Sequence, residues 1–282
     1  MKEKNINKKS LHTKSIWKSN LLSDIRIAKQ SGFRAVEMAG TKVWDYLKSG
    51  NDIELINQTL EKYDMEIISI NDIAHVERTD DDSVRSMLEE ASQLSAFAQS
   101  VDCHCIQLVP LCALSGRSEE EIIELTARNI QRICDIGNEY DVKFQLEPVA
   151  WSPIHSLRST KMLIDAVDRT NFGTVVDFWH LWYGAETTLN DVRNFDVSKI
   201  YNIHFGDGKR NAPGTVCDET ELRGYYAGEG DIAISEWVDA VKDTGYDGWW
   251  SYELVSNRHW MHDVEEVANH TSELMDQYIF HE

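Results

Sequence analysis

The chain has 282 residues, of which 42% are hydrophobic and 10% aromatic, so it is long enough and apolar enough to form a large globular core. Its formal net charge of -20 argues against a nucleic-acid partner, because neutralising phosphates requires a surface rich in Lys and Arg. No apolar run reaches membrane-spanning length and no signal peptide is visible, so neither a membrane segment nor export is predicted.

The five cysteines are odd in number and form no disulfide framework, which predicts a reduced, soluble, cytoplasmic protein. Cys103 and Cys105 flank a histidine, and such a triplet invites interpretation as a metal site. It lies inside a strand-like apolar run, however. We therefore favour two packed cysteines at this place.

Short apolar runs alternate with longer amphipathic ones along the chain. Residues 1–10 are polar and basic and predict a flexible tail, followed by a single domain over residues 11–282. The predicted strands are residues 11–17 (the weakest), 34–38, 66–72, 105–110, 142–147, 172–177, 200–205 and 248–254. Helical spacing is found in residues 19–32, 83–100, 118–140, 156–167, 233–245 and 263–279.

Alternation of strands with helices predicts an α/β protein with a parallel sheet. Eight strands in this length, without a linker rich in Pro, Gly or Ser, favour a closed (β/α)₈ TIM barrel over an open sheet. No glycine-rich nucleotide-binding motif follows any strand. The expected fold is therefore one TIM barrel.

Four successive predicted strands carry a metal-binding type of side chain at or near their carboxyl ends. These residues are Glu147, Asp177, His204 and Glu253. In a TIM barrel the carboxyl ends of the strands surround the active site, so the four side chains are expected to meet in one cup. Close carboxylates repel one another, and a divalent cation would relieve that repulsion. Three oxygens and one nitrogen suit Mn²⁺, with Mg²⁺, Co²⁺ or Zn²⁺ as alternatives.

Several segments resemble the xylose isomerase-like TIM barrel superfamily, in its sugar phosphate isomerase/epimerase branch. That branch includes 2-keto-myo-inositol isomerases, inosose dehydratases and ketose 3-epimerases. The segments that carry the resemblance are "GFRAVEM", "LEP", "VVDFWHLW", "IHFGDGKR" and "GEGDIAISEWVDAVKDTGYDGWWSYEL". The resemblance implies that Glu147, Asp177, His204 and Glu253 are metal ligands. It also implies substrate contacts for His180 and Arg210.

The resemblance implies an isomerase or epimerase of a ketose, keto-polyol or related sugar derivative. A divalent ion that chelates a carbonyl and its neighbouring hydroxyl acidifies the adjacent C–H and stabilises the enediolate. Glu147 and Glu253 would be the catalytic residues, one removing a proton and the other returning one. His180 and Arg210 would donate hydrogen bonds to the developing oxyanion.

Other residues are candidates for the substrate pocket. Glu37 ends the second predicted strand, and the segment "IND" at residues 70–72 and His75 follow on the third. Ketose 3-epimerases usually carry a glutamate six residues after their first ligand, but Pro153 stands there, which weakens an assignment to that activity. Trp151 and His155 are expected over the cup. The long segment 209–230, with Tyr225 and Tyr226, is expected to be a lid or a surface excursion.

Three alternatives remain open. The same site in a lyase would expel a β-substituent, as in an inosose dehydratase or a C-glycoside deglycosidase that acts on 3-oxo-glycosides. A repair nuclease of a related barrel would need a basic face, which the charge of -20 opposes. A non-catalytic sugar-binding barrel is the third. The expected partner is a small sugar or polyol, neutral rather than phosphorylated, with no nucleic acid and no membrane; a homo-oligomer is left open.

Overall fold

Eight parallel strands form a closed barrel in which each strand pairs with the next and β8 pairs with β1. The computed structural model describes residues 8–112, 114–212 and 214–280. The strands are β1 (Lys9–His12), β2 (Ala35–Ala39), β3 (Glu66–Ala74), β4 (Cys105–Val109), β5 (Lys143–Leu146), β6 (Phe172–Asp177), β7 (Ile200–Phe205) and β8 (Trp249–Tyr252). The predicted (β/α)₈ barrel is therefore confirmed.

The first strand begins earlier than predicted. Lys9 and Ser10 belong to β1 and are buried, because Ser10 pairs with Ala35 on one side and Ser251 on the other. The predicted tail was expected to end at residue 10, but the barrel begins at least two residues earlier, at Lys9. Residues 1–7 of the predicted tail lie outside the described residues.

Helices surround the barrel. They are α1 (Leu21–Gln30), α2 (Gly40–Lys48), α3 (Ile53–Tyr63), α4 (Asp81–Ser100), α5 (Glu119–Asn138), α6 (Leu157–Val167), α7 (Phe178–Gly184), α8 (Leu189–Arg193), α9 (Glu219–Leu222), α10 (Ile234–Asp243) and α11 (Val264–Tyr278). The six long amphipathic segments are confirmed as helices, whereas α2, α3, α7, α8 and α9 were not predicted. Within the described part of the chain, no helix has the length and apolar character needed to cross a membrane.

The sequence explains where these helices begin and which side they bury. Ser118 and Glu121 form a reciprocal capping box at the start of α5, and Ile123, Ile130 and Cys134 on that helix are buried. Apolar side chains at this spacing occupy one helix face. The buried face of α5 therefore packs against the barrel.

The barrel interior below its carboxyl end is polar. Gln145 donates to Gln107, and Asn202 donates to Ser251 and to Glu37. Buried amides need such partners, because an unpaired polar group in a protein interior is destabilising. Side chains alternate along a strand, so Gln145, Asn202 and Ser251 share a face with the residues two positions later: Glu147, His204 and Glu253. The polar layer thus supports the residues above it.

The Cys-His-Cys triplet at residues 103–105 is divided between the core and the surface. Cys103 and Cys105 are buried in the core. His104 is half exposed and lies against Asp102 and Asp141 on the surface. The prediction of two packed cysteines is confirmed.

Candidate metal and active site

Four side chains converge at the carboxyl end of the barrel. Asp177 is the last residue of β6, His204 lies near the end of β7, and Glu147 and Glu253 directly follow β5 and β8. All four are buried. One potential ligand atom from each lies within 4.8 Å of the others. The structure therefore brings together the four residues that the sequence singled out.

His204 is at the centre of this cluster. Its Nδ1 lies 2.9 Å from Glu147 Oε1, 2.9 Å from Glu253 Oε2 and 3.4 Å from Asp177 Oδ2. Three carboxylates thus face one ring nitrogen. Carboxylate oxygens with an imidazole nitrogen are a donor set that divalent first-row metals accept.

Glu37 lies on the other side of the His204 ring from the three carboxylates. Its Oε2 is 3.0 Å from His204 Nε2 and accepts a hydrogen bond of 2.8 Å from Asn202. The side chain is 0% exposed. A carboxylate in this position fixes the orientation of the imidazole and its tautomer. The structure therefore places the Glu37 carboxylate against His204 and Asn202.

Arg223, which the sequence analysis did not select, enters the cluster from the segment between β7 and α10. Its Nη2 donates to both Asp177 and Glu253. Its Nη1 lies 3.0 Å from Glu219 and 3.1 Å from His180 Nε2. Only 3% of the residue is exposed. This guanidinium contacts two of the three carboxylates and supplies one positive charge beside them.

The environment separates the pKa values of the two glutamates. Burial, followed by the charge of Glu253, raises the pKa of Glu147 above its ordinary value. Burial is the largest single influence on Glu253 and opposes its ionisation, but the charges of Arg223, His12, His204 and Lys14 together outweigh it, and the pKa of Glu253 falls well below its ordinary value. Two neighbouring carboxyl groups with pKa values shifted in opposite directions are suited to acid and base roles.

His180 and Trp151 form the wall beside Arg223. His180 is buried in α7, which begins where the Asp177 side chain caps the His180 backbone N–H at 2.7 Å. Trp151 is 48% exposed and its ring centre is 5.2 Å from that of His180. Both expected residues therefore border the site, His180 from within and Trp151 from the rim. His155 is farther out and pairs with Glu186.

Arg210 does not reach the cluster. It is exposed, donates to the backbone carbonyls of Trp182 and Tyr183, and stacks on the Trp182 ring. Of the two arginines in this segment, Arg223 is the one in the cup. A single Arg among glycines and acids in "ELRGYYAGEG" was the only sequence signal for it, and that signal is weak.

The two tyrosines of segment 209–230 lie away from the cluster of Glu147, Asp177, His204 and Glu253. Tyr226 packs against His259 and His270, each with a ring-centre distance of 4.4 Å. Tyr225 packs on Lys209. The segment therefore contributes Arg223 to the site rather than its tyrosines. Pro213 in this segment lies outside the described residues.

On the β1 side, two basic residues face Glu253. His12 Nε2 is 3.5 Å and Lys14 Nζ is 3.7 Å from Glu253 Oε1. Burial lowers the pKa of His12 to about 4, so its imidazole is neutral at neutral pH. His12, Glu37 and His204 also have close potential ligand atoms. In this group of three, His204 Nε2 already pairs with Glu37. We therefore interpret the three residues as a support for the cluster of Glu147, Asp177, His204 and Glu253.

Known proteins resemble the chain over nearly its whole length. A family model described as xylose isomerase-like TIM barrel matches residues 25–278. The inosose isomerase of Halalkalibacterium halodurans is 22% identical over 252 residues, covering 88% of this chain and 88% of that protein. The 3-dehydroshikimate dehydratase of Bacillus anthracis is 22% identical over 236 residues, covering 79% of this chain and 81% of that protein.

Solved structures share the fold. An IolI protein with a bound zinc atom superposes with a TM-score of 0.87 at 20% sequence identity. The superposition covers 96% of this chain and 99% of that one. The two proteins thus share the barrel fold.

Proposed function

This chain belongs to the xylose isomerase-like TIM barrel family, and we propose that it is a divalent-metal-dependent isomerase or epimerase of a ketose, keto-polyol or related sugar derivative. One observation carries the proposal: Glu147, Asp177, His204 and Glu253 converge within 4.8 Å at the catalytic end of the barrel. An enzyme of this type moves a proton between carbons next to a carbonyl, and buried carboxylates are suited to that work.

The residues fit a divalent ion. Glu147, Asp177 and Glu253 would supply carboxylate oxygens and His204 would supply Nδ1, with its Nε2 held by Glu37. Oxygen-rich sites of this kind favour Mn²⁺, which we propose as the ion. When bound, the ion supplies Lewis acidity that makes the C–H beside a substrate carbonyl easier to ionise.

Glu253 and Glu147 have different roles in the proton transfer. Glu253, whose pKa is lowered, is ionised and removes the proton as the base. Glu147, whose pKa is raised by burial, gains a proton more readily than Glu253 and returns one as the acid. Gln107 donates to Glu147 Oε2 at 2.9 Å and so fixes the orientation of its carboxyl group.

Arg223 and His180 form the part of the site that faces the substrate oxygen. The Arg223 guanidinium can donate to negative charge that develops on that oxygen, which is how such donors accelerate proton abstraction. His180 Nε2, 3.1 Å from Arg223 Nη1, keeps the guanidinium inside the cup. Trp151 shields this side of the site at the rim.

A lyase is the second candidate function. One relative is an isomerase by name and another a dehydratase, each at 22% identity, so both reaction outcomes occur among proteins similar to this chain. The same proton abstraction leads to a lyase product when a hydroxyl lies β to the carbanion. Glu147 as the acid would then protonate the departing hydroxyl instead of carbon.

One experiment tests the proposal and separates the two outcomes. Mn²⁺-loaded protein is incubated in D₂O with keto-inositols, ketohexoses and 3-dehydroshikimate, and the products are identified by NMR. We expect an isomer or epimer that carries deuterium at the carbon beside the carbonyl. A dehydrated product would favour the lyase, and no deuterium in any compound would argue against both.

The two arginines of the long segment give a matched pair of variants. Arg223→Gln should lower kcat/KM by about 10²- to 10³-fold, the usual effect of removing an oxyanion donor. Its Mn²⁺ affinity should be unchanged or higher, since Arg223 bonds to Asp177 and Glu253, two of the carboxylates proposed as metal ligands. Arg210→Gln should change kcat/KM less than about threefold, because an exposed side chain outside the cup seldom contributes more.

Steady-state kinetics with metal titration by calorimetry distinguish the roles. A larger loss for Arg210→Gln than for Arg223→Gln would reverse the assignment. Melting temperatures of both variants serve as the control for folding.

A further inference from the structure

Asp207 is a buried carboxylate that is not one of the four cluster residues. It lies two residues after the end of β7, and only 1% of it is exposed. Among the described residues it forms no ion pair, and the groups that act on it besides burial are backbone N–H donors. A buried carboxylate without a cation is destabilising unless hydrogen bonds compensate for the lost water.

Four backbone N–H groups provide that compensation, and two of them reach each oxygen of the Asp207 carboxylate. The donors are Gly208, Gly228, Gly230 and Ile232, at 2.7, 2.9, 3.0 and 3.2 Å. Three of the four belong to residues 224–232, which directly follow Arg223 in the chain. A side chain with two oxygens that only accept is the one that suits four converging donors.

The residues on both sides of Arg223 are attached to the same strand end. The Lys209 N–H donates to the Leu222 carbonyl at 2.8 Å. Asp207 itself forms an antiparallel bridge with Tyr225. Arg223 therefore lies between two attachments to the residues that follow β7, the strand that also carries the cluster histidine.

Glycines allow this close approach but make the segment costly to order. A Cβ at residue 230 would lie 2.1 Å from Asp207 Oδ1, and Gly228 has a φ of +93°, which other residues rarely adopt. Glycine loses more conformational freedom on ordering than any other residue. A segment with glycines at 224, 228 and 230 therefore needs strong attachments to hold one conformation.

We propose that Asp207 is a positioning residue, which fastens residues 224–232 to the end of β7 and thereby keeps Arg223 in the cluster. The inference rests on the proposed function, in which Arg223 donates to the substrate oxygen. Arg223 reaches Asp177 and Glu253 through one nitrogen, Nη2, so its place in the cluster depends on where the segment lies. A displacement of about 1 Å at an active site can cost about 10²-fold in rate.

Hydrogen exchange followed by mass spectrometry tests the attachment without turnover. Asp207→Asn keeps the size of the side chain but replaces one oxygen with an N–H₂ group, so two of the four backbone donors lose their acceptor. We expect peptides from residues 224–232 to exchange at least about tenfold faster than in the wild-type protein, with the rest of the barrel unchanged. Asp231→Asn, at an exposed aspartate of the same segment, is the matched control and should exchange like the wild-type protein.

Kinetics test whether Asp207 acts through Arg223. Asp207→Asn should lower kcat/KM by about 10²-fold, through displacement of the guanidinium. When Arg223→Gln is already present, Asp207→Asn should cost less than about threefold further, because the group that it positions is gone. A general structural role would instead give the same fold-loss in both backgrounds.

Gly230→Ala tests the same contact from the opposite side if Asp207→Asn fails to fold. The added methyl group would lie 2.1 Å from Asp207 Oδ1, so the segment has to move away although the carboxylate is intact. This variant should show the same faster exchange in residues 224–232. Its loss of kcat/KM should also disappear when Arg223→Gln is present.

Each contrary outcome overturns the inference. Wild-type exchange of residues 224–232 in Asp207→Asn or in Gly230→Ala would show that the carboxylate does not fasten the segment. Equal fold-losses with and without Arg223→Gln would show that Asp207 does not act through Arg223. Failure of the proposed function would instead appear as no turnover by the wild-type protein, and the exchange measurement would still decide the attachment, so the two failures are distinguishable.

Discussion

Glu253→Gln should lower turnover by about 10³-fold and abolish deuterium incorporation, because the variant keeps the shape of the side chain but removes the base. Glu147→Gln should lose product formation to a similar degree. It should still incorporate deuterium from D₂O, since Glu253 can remove the proton and solvent can return one. The two variants therefore fail in different ways, and NMR in D₂O distinguishes them.

Glu186→Gln is the matched control, because Glu186 pairs with His155 outside the cluster. It should retain wild-type turnover. Metal content of each variant must be measured alongside, since glutamine retains one oxygen for the ion. If both cluster variants turned over substrate at the wild-type rate, neither Glu147 nor Glu253 would be an acid or a base.

The second large effect concerns the ion. Asp177→Asn should lower Mn²⁺ affinity by at least about 100-fold, since even residues that only hold a ligand in place contribute about 10- to 100-fold. Asparagine still caps α7, as Asp177 does through the His180 N–H, so the helix start should be preserved. Calorimetric titration of metal-stripped protein measures the affinity.

His204→Ala should lose the ion as well, with an additional cost in stability. Removing the imidazole leaves the buried Glu37 carboxylate without its main charged partner, a change that costs about 3–5 kcal/mol in comparable buried pairs. A variant that retained wild-type Mn²⁺ affinity at either position would show that the ion binds elsewhere.

The barrel and the four cluster residues could be predicted because both depend on strands. Alternating side chains and parallel order fix which strand-end residues face the barrel mouth, whatever the loops do. Glu147, Asp177, His204 and Glu253 could therefore be located by their place in the series. The short helices were missed because α7, α8 and α9 contain too few turns for a periodic pattern.

The positions of Arg223, Arg210 and Glu37 could not be predicted for physical reasons. Arg223 and Arg210 lie on one irregular segment, and sequence spacing does not determine which side chain such a segment turns inward. Glu37 has the sequence features of a strand-end acid, but its partner His204 belongs to a strand far along the chain. Only the closed barrel brings that pair together.

Deuterium incorporation into a keto-inositol by one protein sample, first stripped of metal and then reloaded, tests the central claim most directly. We predict no incorporation after chelation, full recovery with about one Mn²⁺ per chain, and none in Asp177→Asn at the same metal concentration. Incorporation at an undiminished rate by the stripped protein, or by Asp177→Asn without bound metal, would contradict a metal-dependent proton transfer at this cluster.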